Sequence, residues 1–164
     1  MLSRAALKTP IGSLYLISHE HLLLAAGFSN FKELTNQLDE EDRAQGISEV
    51  KRLPIITDLL EDYFAGDLKA LDGISVRQPG EKFSQSAWKA MRKVSPGKTI
   101  SYGELAKRAG SADAVRAAGS ACARNLVALV VPCHRIVKTG GALGNYAYGL
   151  DVKEWLLRHE GALK

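Results

Sequence analysis

Cys133 stands in a segment whose residue types suit a reactive thiol. It follows the apolar run 127–131, and Pro132 between them fixes its own backbone φ and biases the preceding residue toward extended geometry. A buried backbone should therefore hold the thiol in place. A cysteine attacks carbon as its thiolate, which cationic or basic neighbours favour. His134 and Arg135 follow directly, and we expect them to lower the pKa of Cys133.

Other readings of this cysteine stay open at this point. A cysteine beside valines is also typical of an inert core residue, and the residues alone do not decide between the two. Zinc needs four ligands, usually with a second cysteine two to four residues away. The other cysteine is Cys122, and no C-x-x-C or H-x-x-x-H pattern occurs. We therefore expect no metal and no cofactor, whereas a disulfide between Cys122 and Cys133 remains an alternative.

Charge is divided unevenly along the chain. The 164 residues carry a formal net charge of +4. Residues 1–80 hold 8 Lys and Arg against 12 Asp and Glu, a net −4, and residues 81–164 hold 14 against 6, a net +8. A basic half favours binding to a phosphate backbone.

Sequence features of export or membrane insertion are not visible. No apolar run approaches the roughly 20 residues that cross a bilayer, and the first residues lack the layout of a signal peptide. Two cysteines without framework spacing fit a reducing compartment. We expect a cytoplasmic protein without membrane contact, associated with the nucleoid when bound to DNA, or nuclear in a eukaryote.

The first half of the chain predicts a small α/β domain. Apolar alternation marks three strands of an antiparallel sheet, at residues 4–7, 14–18 and 22–28. A helix is expected over residues 31–38, and the acidic stretch 39–42 is expected to lie in a mobile loop. A second helix has an apolar stripe made of Ile55, Ile56, Leu59, Leu60, Tyr63 and Phe64.

A change of composition predicts a domain boundary. Gln78-Pro79-Gly80 is typical of a linker and coincides with the change of charge. The predicted fold is an α/β domain over residues 1–78, with a small antiparallel sheet and helices. A mainly α domain with a helix-turn-helix follows over residues 79–164.

The helix-turn-helix candidate rests on two helices joined by a short turn. Ser101 and Glu104 form a capping-box pattern at the start of the first helix. Gly110 ends it, and Ser111 is expected to cap the second helix. That second helix is rich in alanine and glycine, and Arg116 projects from it. Such a smooth helix fits either tight packing inside the domain or insertion into a narrow DNA groove.

Five segments in a fixed order resemble one protein family. Pro132-Cys133-His134-Arg135-Ile136 resembles the signature of the O6-alkylguanine-DNA alkyltransferases, and the similarity extends over residues 83–161. The other matching segments are Ser101-Tyr102-Gly103-Glu104-Leu105-Ala106, Val115-Arg116-Ala117-Ala118-Gly119, Gly144-Asn145-Tyr146 and Lys153-Glu154-Trp155-Leu156-Leu157-Arg158-His159-Glu160-Gly161.

The resemblance implies direct reversal of DNA damage. The family transfers an alkyl group from O6 of guanine in double-stranded DNA to its own cysteine, irreversibly and once per molecule, after the nucleotide has rotated out of the duplex. O4 of thymine is a second candidate position from which the alkyl group is taken. The implied partner is DNA carrying O6-alkylguanine, bound by a monomer without a cofactor.

The resemblance also assigns roles to residues. Cys133 is the nucleophile, His134 is the base that acts through a water, and Glu160 orients His134. Asn125 is the hinge between the recognition helix and the active-site segment. The implied DNA contacts are Tyr102, which donates to the guanine ring, Arg116, which fills the space of the extruded nucleotide, Ala117 and Gly119. The implied substrate pocket consists of Cys122, Ile136 through its carbonyl, Tyr146, Ala147 through its N–H, and Tyr148.

Three positions depart from the family's pattern. Leu126 follows the hinge Asn125 where proline is usual, and Cys122 stands where a larger apolar residue is common. Tyr148 stands where glycine is usual, so its ring either narrows the pocket against bulky adducts or points to solvent. Two other functions remain as alternatives, a non-catalytic protein that recognises alkylated DNA and a regulator that responds to alkylation. The presence of Cys133 disfavours the first.

Overall fold

The computed structural model describes all 164 residues, which fall into two compact units. One unit contains Met1–Pro79 and Leu126–Val130, and the other contains Gly80–Asn125 and Val131–Lys164. A single boundary between residues 78 and 79 therefore omits the short segment by which the chain rejoins the first unit.

A five-stranded mixed sheet forms the centre of the first unit. Strands β1 (Leu2–Thr9), β2 (Gly12–His19) and β3 (Leu22–Gly27) are antiparallel neighbours near the predicted positions. The short edge strands β4 (Ile47–Glu49) and β5 (Ser75–Val76) pair in parallel with β1 and β3. The strand order is β4-β1-β2-β3-β5, so the sheet is not antiparallel throughout.

Helix α1 (Phe31–Gln37) and helix α2 (Glu40–Ala44) follow the first three strands. The acidic stretch that α2 contains was predicted as a mobile loop, and that prediction is wrong. The Asp39 side chain accepts a hydrogen bond from the Asp42 backbone N–H at 3.0 Å and so caps the helix. Asp42 is buried and pairs with Arg77 at 2.9 Å. Acidic side chains in the first turn of a helix also interact favourably with the helix dipole.

Helix α3 (Ile56–Phe64) starts one residue later than its apolar stripe predicted. Ile55 is 60% exposed, and its φ of 71° places it in a tight turn closed by a hydrogen bond from the Ile56 N–H to the Pro54 carbonyl at 2.8 Å. A γ-turn with positive φ is rare and strained for a branched side chain. The buried face of α3 consists of Ile56, Thr57, Leu60 and Tyr63.

The segment Leu126–Val130 pairs with β3. The Ala26 N–H donates to the Leu126 carbonyl at 2.9 Å, and the Ala128 N–H donates to the Ala26 carbonyl at 3.0 Å. Leu126 belongs to the apolar core of the first unit. These contacts hold a stretch of backbone that ends immediately before the segment carrying Cys133.

Four helices and a two-stranded parallel sheet form the second unit. The helices are α4 (Lys82–Arg92), α5 (Tyr102–Arg108), α6 (Val115–Arg124) and α7 (Leu150–His159), and the strands are β6 (Ile100–Ser101) and β7 (Ile136–Val137). No helix of the chain is both long and apolar enough to cross a membrane.

The ends of α5 and α6 test the capping predictions. Ser101 caps α5 by accepting from the Glu104 N–H at 3.0 Å, as predicted. Ser111 does not cap α6, because that helix starts after Ala114 and has no side-chain cap. The three intervening residues instead form a turn, in which the Ala114 N–H donates to the Ser111 carbonyl at 3.0 Å.

The smooth helix α6 uses its two faces differently. Ala118 and Ala121 are fully buried, and the Trp88 indole N–H of α4 donates to the Ala121 carbonyl at 2.9 Å. Small side chains on this face allow the close approach of α4. Arg116 and Ala117 lie on the exposed face. The reading as internal packing therefore holds for the buried face of α6, and insertion of the exposed face into a DNA groove stays a prediction.

Candidate active site

Cys133 is positioned by a turn centred on Pro132. Pro132 has φ −84° and ψ 67°, and the Cys133 N–H donates to the Val131 carbonyl at 2.9 Å, which is the geometry of an inverse γ-turn. Cys133 then opens a single 3₁₀ turn, Cys133–Arg135, that leads into β7. The proline thus sets the direction of the thiol, as its place in the sequence predicted.

The thiol faces an open pocket of about 660 Å³. The pocket lies within the second unit and receives residues from α5, α6, the Cys133 turn and the loop before α7. Its lining consists of Tyr102, Arg116, Gly119, Ser120, Cys122, Ala123, Cys133, Lys138, Asn145, Tyr146 and Ala147. Seven of these residues are among the candidates from the sequence, so residues up to 45 positions apart meet at one site.

A buried cluster of charges lies beside the thiol. His134 Nε2 is 2.9 Å from Glu160 Oε2, and both side chains are fully buried. Arg135 makes a two-point contact with the same carboxylate, with its Nε 2.8 Å from Oε1 and its Nη2 2.9 Å from Oε2. Arg135 also donates to the Val94 carbonyl at 2.7 Å. The carboxylate therefore fixes both side chains that follow Cys133.

The ionisation of this cluster follows from burial and pairing. Burial lowers the pKa of His134 below its usual value, although Glu160 opposes the shift. Burial alone would raise the pKa of Glu160, but His134 and Arg135 outweigh it and hold that pKa far below the usual range. Glu160 is therefore an anion, and His134 is neutral near neutral pH. The second ring nitrogen of His134, Nδ1, is buried and has no hydrogen-bond partner in the protein.

The pKa of Cys133 is raised, and not lowered as the sequence suggested. Burial is the main cause, and a hydrogen bond with Asn125 and the charge of Lys153 oppose it. Arg135 does not lower the pKa of Cys133, because its guanidinium is paired with the Glu160 carboxylate. Adjacency in sequence identified the wrong cation, since Lys153 lies 20 positions further along the chain.

Asn125 bridges two parts of the active-site segment. It ends α6, and its side-chain Nδ2 donates to the Val131 carbonyl at 2.8 Å. Its hydrogen bond with the Cys133 side chain favours the thiolate. Asn125 thus ties the end of α6 to the segment before Cys133, and its role as a hinge stays a prediction.

Lys153 is a buried cation at the site that sequence reasoning missed. It is fully buried on α7, and its ammonium donates to the carbonyls of Ile136 at 2.7 Å, Asn145 at 3.2 Å and Leu143. Burial lowers its pKa, while Cys133 and Cys122 act in the opposite direction. The available signal was a lysine on the apolar side of the last helix, beside Leu156 and Leu157.

The remaining candidates fall inside and outside the pocket. Burial raises the pKa of Tyr102 to about 12, so its hydroxyl is a donor at neutral pH. Ile136 is buried and its carbonyl already accepts from Lys153. Ala117 is exposed on α6 outside the lining. Tyr148 is also outside the lining, and its ring packs edge-on against Tyr146 with 5.9 Å between centroids.

A cysteine that lines an open pocket and precedes a neutral histidine held by a buried carboxylate is the arrangement expected of a protein with a cysteine nucleophile. Comparison with known proteins narrows this class. Residues 82–162 match the family model described as the DNA binding domain of 6-O-methylguanine DNA methyltransferase. These residues include all the candidate site residues from Tyr102 to Glu160.

Curated relatives match over nearly the whole chain. A methylated-DNA–protein-cysteine methyltransferase of Shigella flexneri is 36% identical over 159 residues, which cover 94% of this chain and 93% of the relative. A protein of the same name from Methanosarcina acetivorans is 38% identical, with 96% and 97% covered. The chain belongs to the methylated-DNA–protein-cysteine methyltransferase family.

Solved structures agree with this assignment. The Mycobacterium tuberculosis O6-methylguanine methyltransferase matches with a TM-score of 0.78 and 31% identity, over 99% of this chain and 94% of the other. The M. tuberculosis protein in complex with DNA matches with a TM-score of 0.80 and 30% identity, over 98% and 93%. The combination of sheet and helices described above is thus the fold of this family.

Proposed function

We propose that this protein repairs DNA by direct reversal, transferring an alkyl group from O6 of guanine in double-stranded DNA to Cys133. One observation carries the proposal: Cys133 lines an open pocket beside a buried His134–Glu160 pair whose histidine is neutral. A neutral imidazole accepts a proton, and a pocket of about 660 Å³ accommodates a purine base.

The thiol is activated during the reaction. Its raised pKa keeps Cys133 protonated in the free protein, and His134 accepts the thiol proton through one water that Nδ1 binds. Glu160 stabilises the imidazolium that forms, while its pairing with Arg135 keeps it ionised. Asn125 and Lys153 favour the developing thiolate.

Alkyl transfer is a displacement at carbon. The Cys133 sulfur forms a bond to the alkyl carbon as the bond from that carbon to O6 breaks, and its electron pair stays with guanine. The guanine takes up one proton from water, and His134 returns to water the proton that it received from the thiol. Tyr102, a donor at neutral pH, supplies a hydrogen bond to the guanine ring. Tyr146 and the Ala147 N–H line the pocket where O6 leaves. The product is a thioether, which thiol exchange does not reverse, so each molecule reacts once.

DNA binding belongs in this proposal to the second unit, Gly80–Asn125 and Val131–Lys164. Helices α5 and α6 form the helix-turn-helix, and the net +8 of residues 81–164 attracts the phosphate backbone. Arg116, on the exposed face of α6, fills the gap that the extruded nucleotide leaves in the stack of bases. The protein acts as a monomer, in the cytoplasm, on chromosomal DNA.

Intact mass spectrometry tests the proposal. Incubation with duplex DNA that contains O6-methylguanine should add the mass of one methylene group to the protein, and peptide mapping should place it on Cys133. Cys133→Ala should gain nothing. Binding of the duplex without a mass change would instead identify a recognition protein, and methylation mapped to Cys122 would contradict the assigned nucleophile.

A further inference from the structure

Lys138 is a cation in the pocket that the proposed reaction does not yet use. The lining contains two cations, Arg116 and Lys138, and no carboxylate. Arg116 has a role in the vacated base stack. An O6-alkylguanine base is neutral, so the chemistry at Cys133 does not require a second positive charge.

The backbone of Lys138 is fixed by a short turn. Lys138 follows β7 directly, its N–H donates to the Ala142 carbonyl at 2.8 Å, and its carbonyl accepts from the Gly141 N–H at 3.0 Å. Gly140 and Gly141 have φ of 93° and 94°, which glycine adopts without strain. The turn therefore holds the backbone of Lys138 in the same pocket wall as Cys133.

The stem of Lys138 packs while its charge stays open. A Cβ atom placed on Gly144 would lie 3.1 Å from Tyr102 Oη and 3.5 Å from Lys138 Cγ, so Gly144 lies against both side chains. Lys138 is exposed and makes no ion pair with a carboxylate. Its ammonium is therefore an unneutralised charge on a partly ordered stem, beside the tyrosine that meets the guanine ring.

We propose that Lys138 is a positioning residue that binds a phosphate of the extruded nucleotide. The inference rests on the proposed function, since a nucleotide whose base enters this pocket keeps its phosphates at the mouth. The exposed Lys138 ammonium is a compact positive charge, and it can bind a phosphate at the mouth of the pocket in many orientations. Lys138 thus favours a base attached to a nucleic-acid backbone over a free base.

Paired substrates test this selectivity. O6-benzylguanine as a free base and O6-benzylguanine within a single-stranded oligonucleotide present the same reacting bond, and neither requires extrusion from a duplex. Lys138→Ala should lower the second-order rate constant for the oligonucleotide about fivefold, the upper range for an exposed ion pair, and should lower that for the free base much less. Lys138→Arg should restore the oligonucleotide rate.

Salt dependence and a matched variant complete the test. The slope of log rate constant against log salt for the oligonucleotide should become shallower by about 0.7 in Lys138→Ala, as expected for one lost phosphate contact. Lys98→Ala removes an exposed lysine outside the pocket and should leave the ratio of the two substrates unchanged. An equal loss on both substrates, or the same ratio change in Lys98→Ala, would overturn the role of Lys138. If the wild-type protein reacts with neither substrate, the proposed function itself is wrong.

Discussion

Glu160→Gln should destabilise the protein strongly, because one carboxylate serves two buried partners. Oε1 accepts from Arg135 Nε, and Oε2 lies 2.9 Å from both Arg135 Nη2 and His134 Nε2. A glutamine amide has one oxygen and one NH₂ group. In either orientation, the NH₂ group faces at least one N–H of Arg135, so a buried donor loses its acceptor.

The magnitude follows from the burial of all three side chains. Glu160 and His134 are fully buried, and Arg135 is 5% exposed. Removing one partner of a buried ion pair costs about 3–5 kcal/mol, because it leaves an uncompensated charge. We expect a loss of that size, which is a large part of the about 5–15 kcal/mol by which a domain is stable.

Urea unfolding at neutral pH measures this loss, with Glu154→Gln as the matched control. Glu154 is on the same helix and pairs with Arg158 at 2.6 Å, but both are about half exposed. Such a pair is worth about 0.3–0.5 kcal/mol, so the control should lose less than about 1 kcal/mol. Equal losses in the two variants would refute the argument from burial.

The pH dependence of the difference is a second check on the same variant. The pKa of Glu160 is lower in the folded than in the unfolded protein, so its contribution is present above the ordinary carboxyl pKa of about 4.3. The contribution falls as the pH decreases below that value. The difference between wild type and Glu160→Gln should therefore shrink below about pH 4.3, and a constant difference would contradict an ionised Glu160.

Four further predictions concern single sites. Arg116→Ala should slow the repair of duplex DNA about tenfold, or about 1.4 kcal/mol, and should slow the reaction of free O6-benzylguanine less, because only the duplex requires extrusion; an equal loss would make Arg116 structural. Lys153→Met should lower the free energy of unfolding by about 2–4 kcal/mol in urea, since one buried and two partly buried carbonyls lose their donor. The rate with free O6-benzylguanine should stay nearly constant between about pH 7 and pH 8.5, because a neutral His134 takes the proton of a thiol whose pKa burial raises; a rise centred on the ordinary thiol pKa of about 8.5 would disagree. Tyr148→Gly should leave the ratio of benzyl to methyl transfer unchanged, since the Tyr148 ring does not line the pocket.

Local patterns predicted the parts of the fold that local chemistry determines. The N-cap at Ser101 needs only a hydroxyl and an N–H three residues apart, and it forms as expected. The strands β1 to β3 need only alternation and short turns. The pocket residues Tyr102, Cys122 and Tyr146 were recognised through the order of the family's segments, which carries three-dimensional information that spacing alone does not.

The sequence-based predictions were wrong where contacts between distant parts of the chain determine the structure. Arg135 was assigned to Cys133 because it is two positions away, but its guanidinium fits the two oxygens of Glu160, 25 positions further on. Lys153 was overlooked because a lysine is rarely buried, and the three carbonyls that satisfy it come from separate places in the chain. The return of Leu126–Val130 to the first unit likewise depends on pairing with β3, about 100 residues earlier.

The electrostatics of the site suit a nucleophile that is used once. A thiolate is the form of cysteine that oxidants attack, and oxidation would destroy the one nucleophilic thiol that each molecule uses. Burial keeps Cys133 protonated, while the neutral His134 held by Glu160 is ready to take the proton when an alkyl carbon is in place. The raised pKa, which the sequence did not suggest, therefore does not oppose the chemistry. In the proposed reaction, thiolate formation then depends on proton transfer to His134.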